Sequence, residues 1–203
     1  IKSFLSQVFS FLCSFFYSRG NYYIYEKPLT KNEKYQFNTK LQNAVIKIIS
    51  TPEEFEQLVS NGYDFKMMLF KPKLEKGALA FCAFINKELA HVTWVALNKK
   101  TKKEIDYLPF KVAFQNKEAC SGASFTNPKF RGKGLLSYIY AVIFPYLAQR
   151  GIDKDKYTIK VNNIPSQKAM NKFNHVIIGK GHYLKILWWE FWKEEPVKEL
   201  KEV

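Results

Sequence analysis

The spacing of apolar positions changes several times along the chain, and each change marks an element. Positions 4, 5, 8, 12, 15 and 16 are apolar or aromatic, with Lys2, Ser3, Ser6, Gln7, Ser10 and Ser14 between them. That helical spacing predicts an amphipathic aromatic helix over 1–20. The run Tyr22-Tyr23-Ile24-Tyr25-Glu26-Lys27 is β-prone and stops at Pro28, so 21–43 reads as a strand and a polar connector. Ala44 to Ile49 reads as a short strand. Ser50-Thr51-Pro52-Glu53-Glu54 then predicts a helix start, with a hydroxyl cap, a proline suited to the first turn and two carboxylates at the positive end of the helix dipole. This helix should reach about Ser60 and stop at Asn61-Gly62. Residues 77–85 and 89–97 are almost continuously apolar around Asn86-Lys87-Glu88, which predicts an antiparallel hairpin buried on both faces.

Asn98 to Lys103 reads as a polar turn and 105–114 as a strand, with Pro109 confining part of it to an edge or bulge. Residues 119–126 form a strand of small side chains. A helix follows from Gly134 to Gln149, with Gly151 as its stop and Pro145 expected to bend or shorten it. Tyr157 to Val161 is a strand, and Pro165 to about Asn174 a helix. Val176 to Ile178 and Tyr183 to Trp192 are strands, and 193–203 is a charged tail. The order β, α, antiparallel meander, then β-α-β-α-β-β predicts an α/β (α+β) protein with a central mixed sheet and helices on both faces.

Composition narrows the class. With 203 residues, 47% apolar and 25% charged, the chain is a globular domain and not a disordered or low-complexity one. Its 32 Lys and Arg against 18 Asp and Glu give +14, yet only Arg19, Arg131 and Arg150 are arginines. Reading DNA bases leans on the bidentate arginine fork, so no specific nucleic-acid partner is expected. Dispersed lysine suits attraction to phosphates or anionic lipid. Cys13, Cys82 and Cys120 are far apart, and His91, His175 and His182 show no ligand spacing, so neither a metal nor a disulfide framework is expected. This fits a reducing, cytoplasmic setting. Residues 1–17 are too short and polar to span a bilayer. They read as a helix docked on the domain, or as an interfacial helix peripheral to the inner face of a membrane.

The chemistry concentrates in Phe125-Thr126-Asn127-Pro128-Lys129-Phe130-Arg131-Gly132-Lys133-Gly134-Leu135-Leu136, between a strand and a helix. Glycines allow a tight turn, and the first amides of a helix lack internal partners, so such a turn can cradle a phosphate. It is neither a P-loop nor a dinucleotide fingerprint. About 30 residues on, Val161-Asn162-Asn163-Ile164-Pro165-Ser166 again closes a strand and opens a helix. Two parallel strands, each running into a helix, can splay and leave a slot at their carboxyl ends.

These two segments resemble the GCN5-related N-acetyltransferase family over about residues 44–192. The family turn Arg/Gln-x-x-Gly-x-Gly/Ala is matched at Arg131 and Gly134, with Leu136 departing at the last small position. Asn163 and Ser166 match the later pattern. The resemblance implies the family's acyl-coenzyme A N-acyltransferase fold, acetyl-coenzyme A as acyl donor, and direct transfer to a primary amine such as an amino sugar or a membrane-linked precursor. It implies that Ser124, Phe125 and Thr126 lend backbone groups to the pantetheine arm. Arg131, Gly132, Lys133, Gly134, Leu135 and Leu136 would hold the pyrophosphate, and Asn163 and Ser166 would touch the arm or the adenosine. The family's usual tyrosine proton donor falls at Met170, so Tyr183 or Tyr138 stands in as donor, with Glu118 as first choice of base and His91 next. A competing reading is an inactive basic module for nucleic acid or anionic membrane on the same scaffold.

Overall fold

The computed structural model describes residues 17–31, 33, 35, 43–65 and 70–197. Eight strands form one sheet: β1 Tyr17–Pro28, β2 Ala44–Ile49, β3 Leu79–Ile85, β4 Glu88–Ala96, β5 Glu118–Thr126, β6 Lys154–Lys160, β7 Val176–Ile186 and β8 Trp189–Glu195. Their spatial order is β2-β3-β4-β5-β6-β1-β7-β8. Every pairing is antiparallel except β5 with β6. The helices are α1 Pro52–Ser60, α2 Lys71–Glu75, α3 Lys99–Ile105, α4 Leu135–Gln149 and α5 Ile164–Met170.

Alternation along the strands sends side chains to two cores. On the first face, Val92, Trp94, Cys120 and Tyr183 pack with Leu74 of α2, Ile105 of α3 and Phe55 and Leu58 of α1. On the second face, Phe81, Val95, Tyr157 and Ile159 pack with Leu135, Ile139, Ile143 and Leu147 of α4 and Met170 of α5. The apolar hairpin β3–β4 is covered on both sides, as its continuous hydrophobic run requires.

α1 begins where its sequence predicts. Thr51 caps it by accepting from the Glu54 amide at 3.2 Å, and the Glu54 carboxylate accepts from the Ser50 amide at 2.7 Å. Other expectations are corrected. The expected helix over 1–20 lies outside the described residues up to position 16, while Tyr17 to Gly20 are the first residues of β1. Asn98 to Lys103 is no turn: Asn98 accepts from the Thr101 amide at 2.9 Å and opens α3, whose lysines are good helix formers. Lys102 is buried, giving its ammonium to the Leu108 carbonyl at 2.6 Å over the Phe110 ring. The stretch after α3 is a loop that tucks Leu108 and Phe110 into the first core, closed by a 3-10 turn over Phe114–Asn116. Pro145 leaves α4 unbroken through Gln149. The strands expected at 176–178 and 183–192 are instead divided by a turn at Leu187 and Trp188, with β7 running unbroken from Val176 to Ile186 and β8 carrying the chain through Glu195.

β1 is the element that local pattern does not foretell. It lies between β6 and β7, pairing Tyr22 with Lys160 on one side and Gly181 on the other.

Candidate functional site

β5 and β6 run parallel and part early. Their register is Glu118↔Lys154, Ala119↔Asp155 and Cys120↔Lys156, and there it stops. β5 continues to Thr126 alongside β4, while β6 continues to Lys160 alongside β1. Among the described residues, no strand pairs with 121–126 on the β6 side. The result is a V-shaped seam, open at the carboxyl ends of both strands.

A bulge shapes one wall. Val92 faces Phe125 and Trp94 faces Gly122, so Ala123 and Ser124 share Thr93 as their opposite. Ala123 takes φ +46 to fit the extra residue. The bulge leaves Ala123 and Ser124 exposed, with Phe125 and Thr126 half-buried. An unpaired strand edge of this kind offers amides and carbonyls to an extended ligand.

The turn after β5 is fastened before it opens. The Asn127 amide donates to the Ala90 carbonyl at 3.0 Å, and its side-chain oxygen accepts from the Lys129 amide at 3.1 Å. Lys129 pairs with Glu88 at 2.7 Å, and Phe130 is buried in the second core. Arg131, Gly132, Lys133 and Gly134 are then all exposed. Gly132 and Gly134 have φ +72 and +81, values that a side chain would strain. Arg131 reaches back to the Thr126 carbonyl at 3.3 Å.

α1, α3 and α5 each have a side-chain cap, while α4, like the short α2, has none. The first amides of α4, at Leu135, Leu136 and Ser137, therefore have no side-chain cap; they follow directly on Arg131 to Gly134, with no acidic residue in the first turn. Leu135 is buried and Leu136 packs against the second core, so their side chains turn away from the turn.

The other wall is set by α5. The Asn163 side chain accepts from the Ser166 amide at 3.3 Å, capping the helix. Gln167 donates to the carbonyls of Lys160 and Val161 at 3.1 and 2.8 Å, fixing the helix to the end of β6. Ser137 of α4 donates to the Ala169 carbonyl at 2.9 Å, tying the two helices together.

The expected catalytic pair is not brought together. Glu118 starts β5 at the closed end, about 26 Å of strand away from the open one at Thr126. It accepts from the Ala113 amide at 2.6 Å and pairs with Lys156 at 2.9 Å. Burial pushes its carboxyl up, but that pair and the amide prevail and hold it below its ordinary range. It is an anchored strand-end anion and has no access to the seam. Tyr183 lies on β7, two strands from β6, buried and edge-on to Tyr107 at 5.2 Å. Burial, helped by Glu190, pushes its hydroxyl up to about 12. His91 is fully buried on β4, and burial takes it down to about 3, so it stays neutral.

Asp106 was missed by sequence reasoning. It closes α3 on the first face, where Gly122 leaves room: a Cβ built there would lie 3.8 Å from the Asp106 carboxylate. The Asp106 carboxylate accepts from the Leu108 amide at 2.8 Å, and Thr158 of β6 is among the groups that favour its ionised form. Burial raises its affinity for protons, opposed by Lys102. Tyr22 and Tyr107 join hydroxyls at 2.9 Å beside it. No motif announced this residue; it follows from the loop after α3 packing against the first core. Among the described residues, no three His, Cys, Asp or Glu side chains converge as metal ligands. No helix among them is long and apolar enough to cross a membrane.

No family model matches the sequence, nor does any curated protein. Solved structures do match. A putative GNAT-family acetyltransferase from Novosphingobium aromaticivorans is similar at TM-score 0.53 and 10% identity, over 83% of this chain and 64% of that one. A GCN5-related N-acetyltransferase from Kribbella flavida is similar at 0.53 and 10%, over 86% and 62%. A Drosophila protein is similar at 0.52 and 11%, over 92% and 58%. This chain has the GCN5-related N-acetyltransferase fold, and it spans less than two thirds of the length of those three proteins.

Proposed function

We propose that the protein is an acetyl-coenzyme A-dependent N-acetyltransferase acting by direct transfer to a primary amine. One observation carries the reading: β5–β6 pairing ends at Cys120, and β5 runs on through the glycine turn into the uncapped amides of α4. The residues fit the donor. Positive-φ glycines and the Leu135 to Ser137 amides suit a pyrophosphate, with Arg131 and Lys133 adding charge. The free edge at Ser124, Phe125 and Thr126 suits the amide-bearing pantetheine arm. Asn163 and Ser166 hold each other in the α5 cap, so their part is to keep that wall in place.

Bound acetyl-coenzyme A supplies an activated thioester. The chain must orient it, polarise its carbonyl and manage two protons. Amides at the Ala123 bulge serve the carbonyl. Asp106 takes the proton of the acceptor amine, since a carboxyl with raised affinity is a better base. The Tyr22, Tyr107 and Tyr183 aromatics flank the acceptor on the first face. A contact of residues 1–17 with an inner membrane surface belongs to the same proposal, and flotation on anionic vesicles tests it.

Thermal melting with coenzyme A tests the core claim. The midpoint should rise, because a ligand that binds only the folded state stabilises it. Arg131→Glu should remove most of the rise without lowering the ligand-free midpoint. An unchanged midpoint at millimolar coenzyme A would falsify the reading. Asp106→Asn should keep the rise and lose turnover with responsive amines.

A further inference from the structure

Two buried side chains of β4 tie together two hydroxyls of β5. Thr126 meets His91 Nδ1 at 2.7 Å, His91 Nε2 meets Thr93 at 2.9 Å, and Thr93 meets Ser124 at 2.8 Å. His91 and Thr93 are fully buried, whereas Ser124 is exposed and Thr126 half-buried. The line thus reaches the surface only at its two ends, both on the stretch of β5 beyond its pairing with β6. Strand register holds it in shape: His91 lies opposite Thr126 and Val92 opposite Phe125.

Proton counting sets the polarity of the two ends. A hydroxyl has one proton to donate, and a neutral imidazole one N–H. His91 is neutral, because burial lowers its affinity for protons. It donates to one of its two partners and accepts from the other. With the proton on Nε2, His91 donates to Thr93, Thr93 donates to Ser124, and Thr126 donates to Nδ1. Ser124 then keeps a free proton, and Thr126 offers only lone pairs. With the proton on Nδ1 every bond reverses: Thr126 keeps the free proton and Ser124 offers only lone pairs. Breaking the sequence at Thr93 would strand a buried O–H proton, which is costly. In either tautomer one end can donate outward while the other can only accept.

A pair of that kind suits a neutral group with one donor and one acceptor. Positions 124 and 126 lie about 7 Å apart along the strand. A planar amide set along β5, with a hydrogen bond of about 2.9 Å at each end, spans a similar length. Its N–H meets the accepting hydroxyl and its C=O the donating one. A phosphate or carboxylate offers acceptors alone and would find one proton here rather than two. The anion belongs at the glycine turn, and the wall at Ser124 and Thr126 to an uncharged stretch of ligand.

We propose that His91 is a positioning residue that gives Ser124 and Thr126 opposite hydrogen-bonding polarity, and that this pair binds one amide of the pantetheine arm. The inference rests on the acetyltransferase reading for its ligand. It adds side-chain recognition to the strand edge, and it lets the ligand choose the tautomer. An amide running one way along β5 fixes the His91 proton on Nε2, and one running the other way fixes it on Nδ1.

The test uses the full chain labelled with ¹⁵N-histidine, with Ser124→Ala and Thr126→Val beside the parent. Replacing His175 and His182 singly assigns His91. In ligand-free Ser124→Ala the Thr93 proton is left with Nε2 as its acceptor, so His91 should carry its own proton on Nδ1. In Thr126→Val no acceptor faces Nδ1, so the proton should sit on Nε2. The two ring nitrogens report which of them is protonated. With coenzyme A bound, the parent should show a single tautomer. Each variant should bind coenzyme A about 5-fold more weakly, the usual cost of one neutral hydrogen bond. Each should bind adenosine diphosphate, which has a pyrophosphate and no arm, as the parent does. The same tautomer in both variants, or a mixture in the bound parent, overturns the inference. So does an unchanged affinity for coenzyme A in both variants, or an equal loss for adenosine diphosphate. Any of these in a protein that binds coenzyme A leaves the acetyltransferase reading standing. Opposite tautomers in variants of a parent that binds no coenzyme A sink that reading and the pantetheine amide with it, and keep the polarity of the pair.

Discussion

The two ends of β5 are built from opposite materials. At the closed end Glu118 meets Lys156, which also reaches Glu26 at 3.5 Å, and backbone pairing to β6 seals the strands together. At the open end β5 presents neutral hydroxyls, a bulge and an unpaired edge, backed by an uncapped helix. Charges that are locked in pairs hold a sheet shut but cannot serve a ligand. Neutral groups with spare hydrogen-bonding capacity at a free edge can. A carboxylate is therefore poor evidence for a site until its partner is known.

The comparison can be broken first at the open end. Gly134→Val forces a side chain into φ +81 and should remove the coenzyme A stabilisation altogether, a loss of about 2.7 kcal/mol at a hundredfold excess over Kd. Calorimetry with and without coenzyme A reads it. At the closed end, Lys156→Met strands the part-buried Glu118 and should cost about 2 kcal/mol in urea unfolding. Its coenzyme A shift should persist; a lost shift would mean the two ends are not independent.

A finer effect is one of slope. Asp155 binds its proton more tightly folded, at about 7 against an ordinary 3.8, so its contribution to stability falls as pH rises through that window. His91 is the reverse, about 3 folded against 6.5, and its contribution rises with pH between those values. Between about pH 4 and 6.5 the two oppose each other. Asp155→Asn removes the falling contribution, so its midpoint should climb across that window where the parent's stays nearly level. Melts in a series of buffers check this. Smallest is Thr51→Ala, which removes the α1 cap and should cost about 1 kcal/mol without touching either end of β5.

What could be read from sequence was local. The α1 start lay in five consecutive residues, and the glycine turn before α4 in another short run. The Asn98 cap was equally local, yet a run of lysines read as a turn, because charge was taken for solvation; Lys102 buries its stem and spends its ammonium on one carbonyl. Glu118 failed for a different reason. Which end of a strand is closed depends on where its parallel neighbour leaves it, and that register is fixed by residues 154–156. Asp106 needed the packing of α3 beside Gly122 of β5, which no local pattern gives. The buried Tyr140–Ser121–Asp155 cluster gathers residues from α4, β5 and β6, so no window of sequence contains it.

The position of β1 bears on how the chain reaches its native state. Both neighbours of this strand, β6 and β7, are encoded more than 120 residues after it. During synthesis its two edges stay bare until β6 and β7 have emerged. Sheet closure must then join the ends of the sequence across a long intervening loop, a slow kind of event. The tyrosine-rich strand is thus a natural client for a holding chaperone, and its insertion is a natural last step of folding.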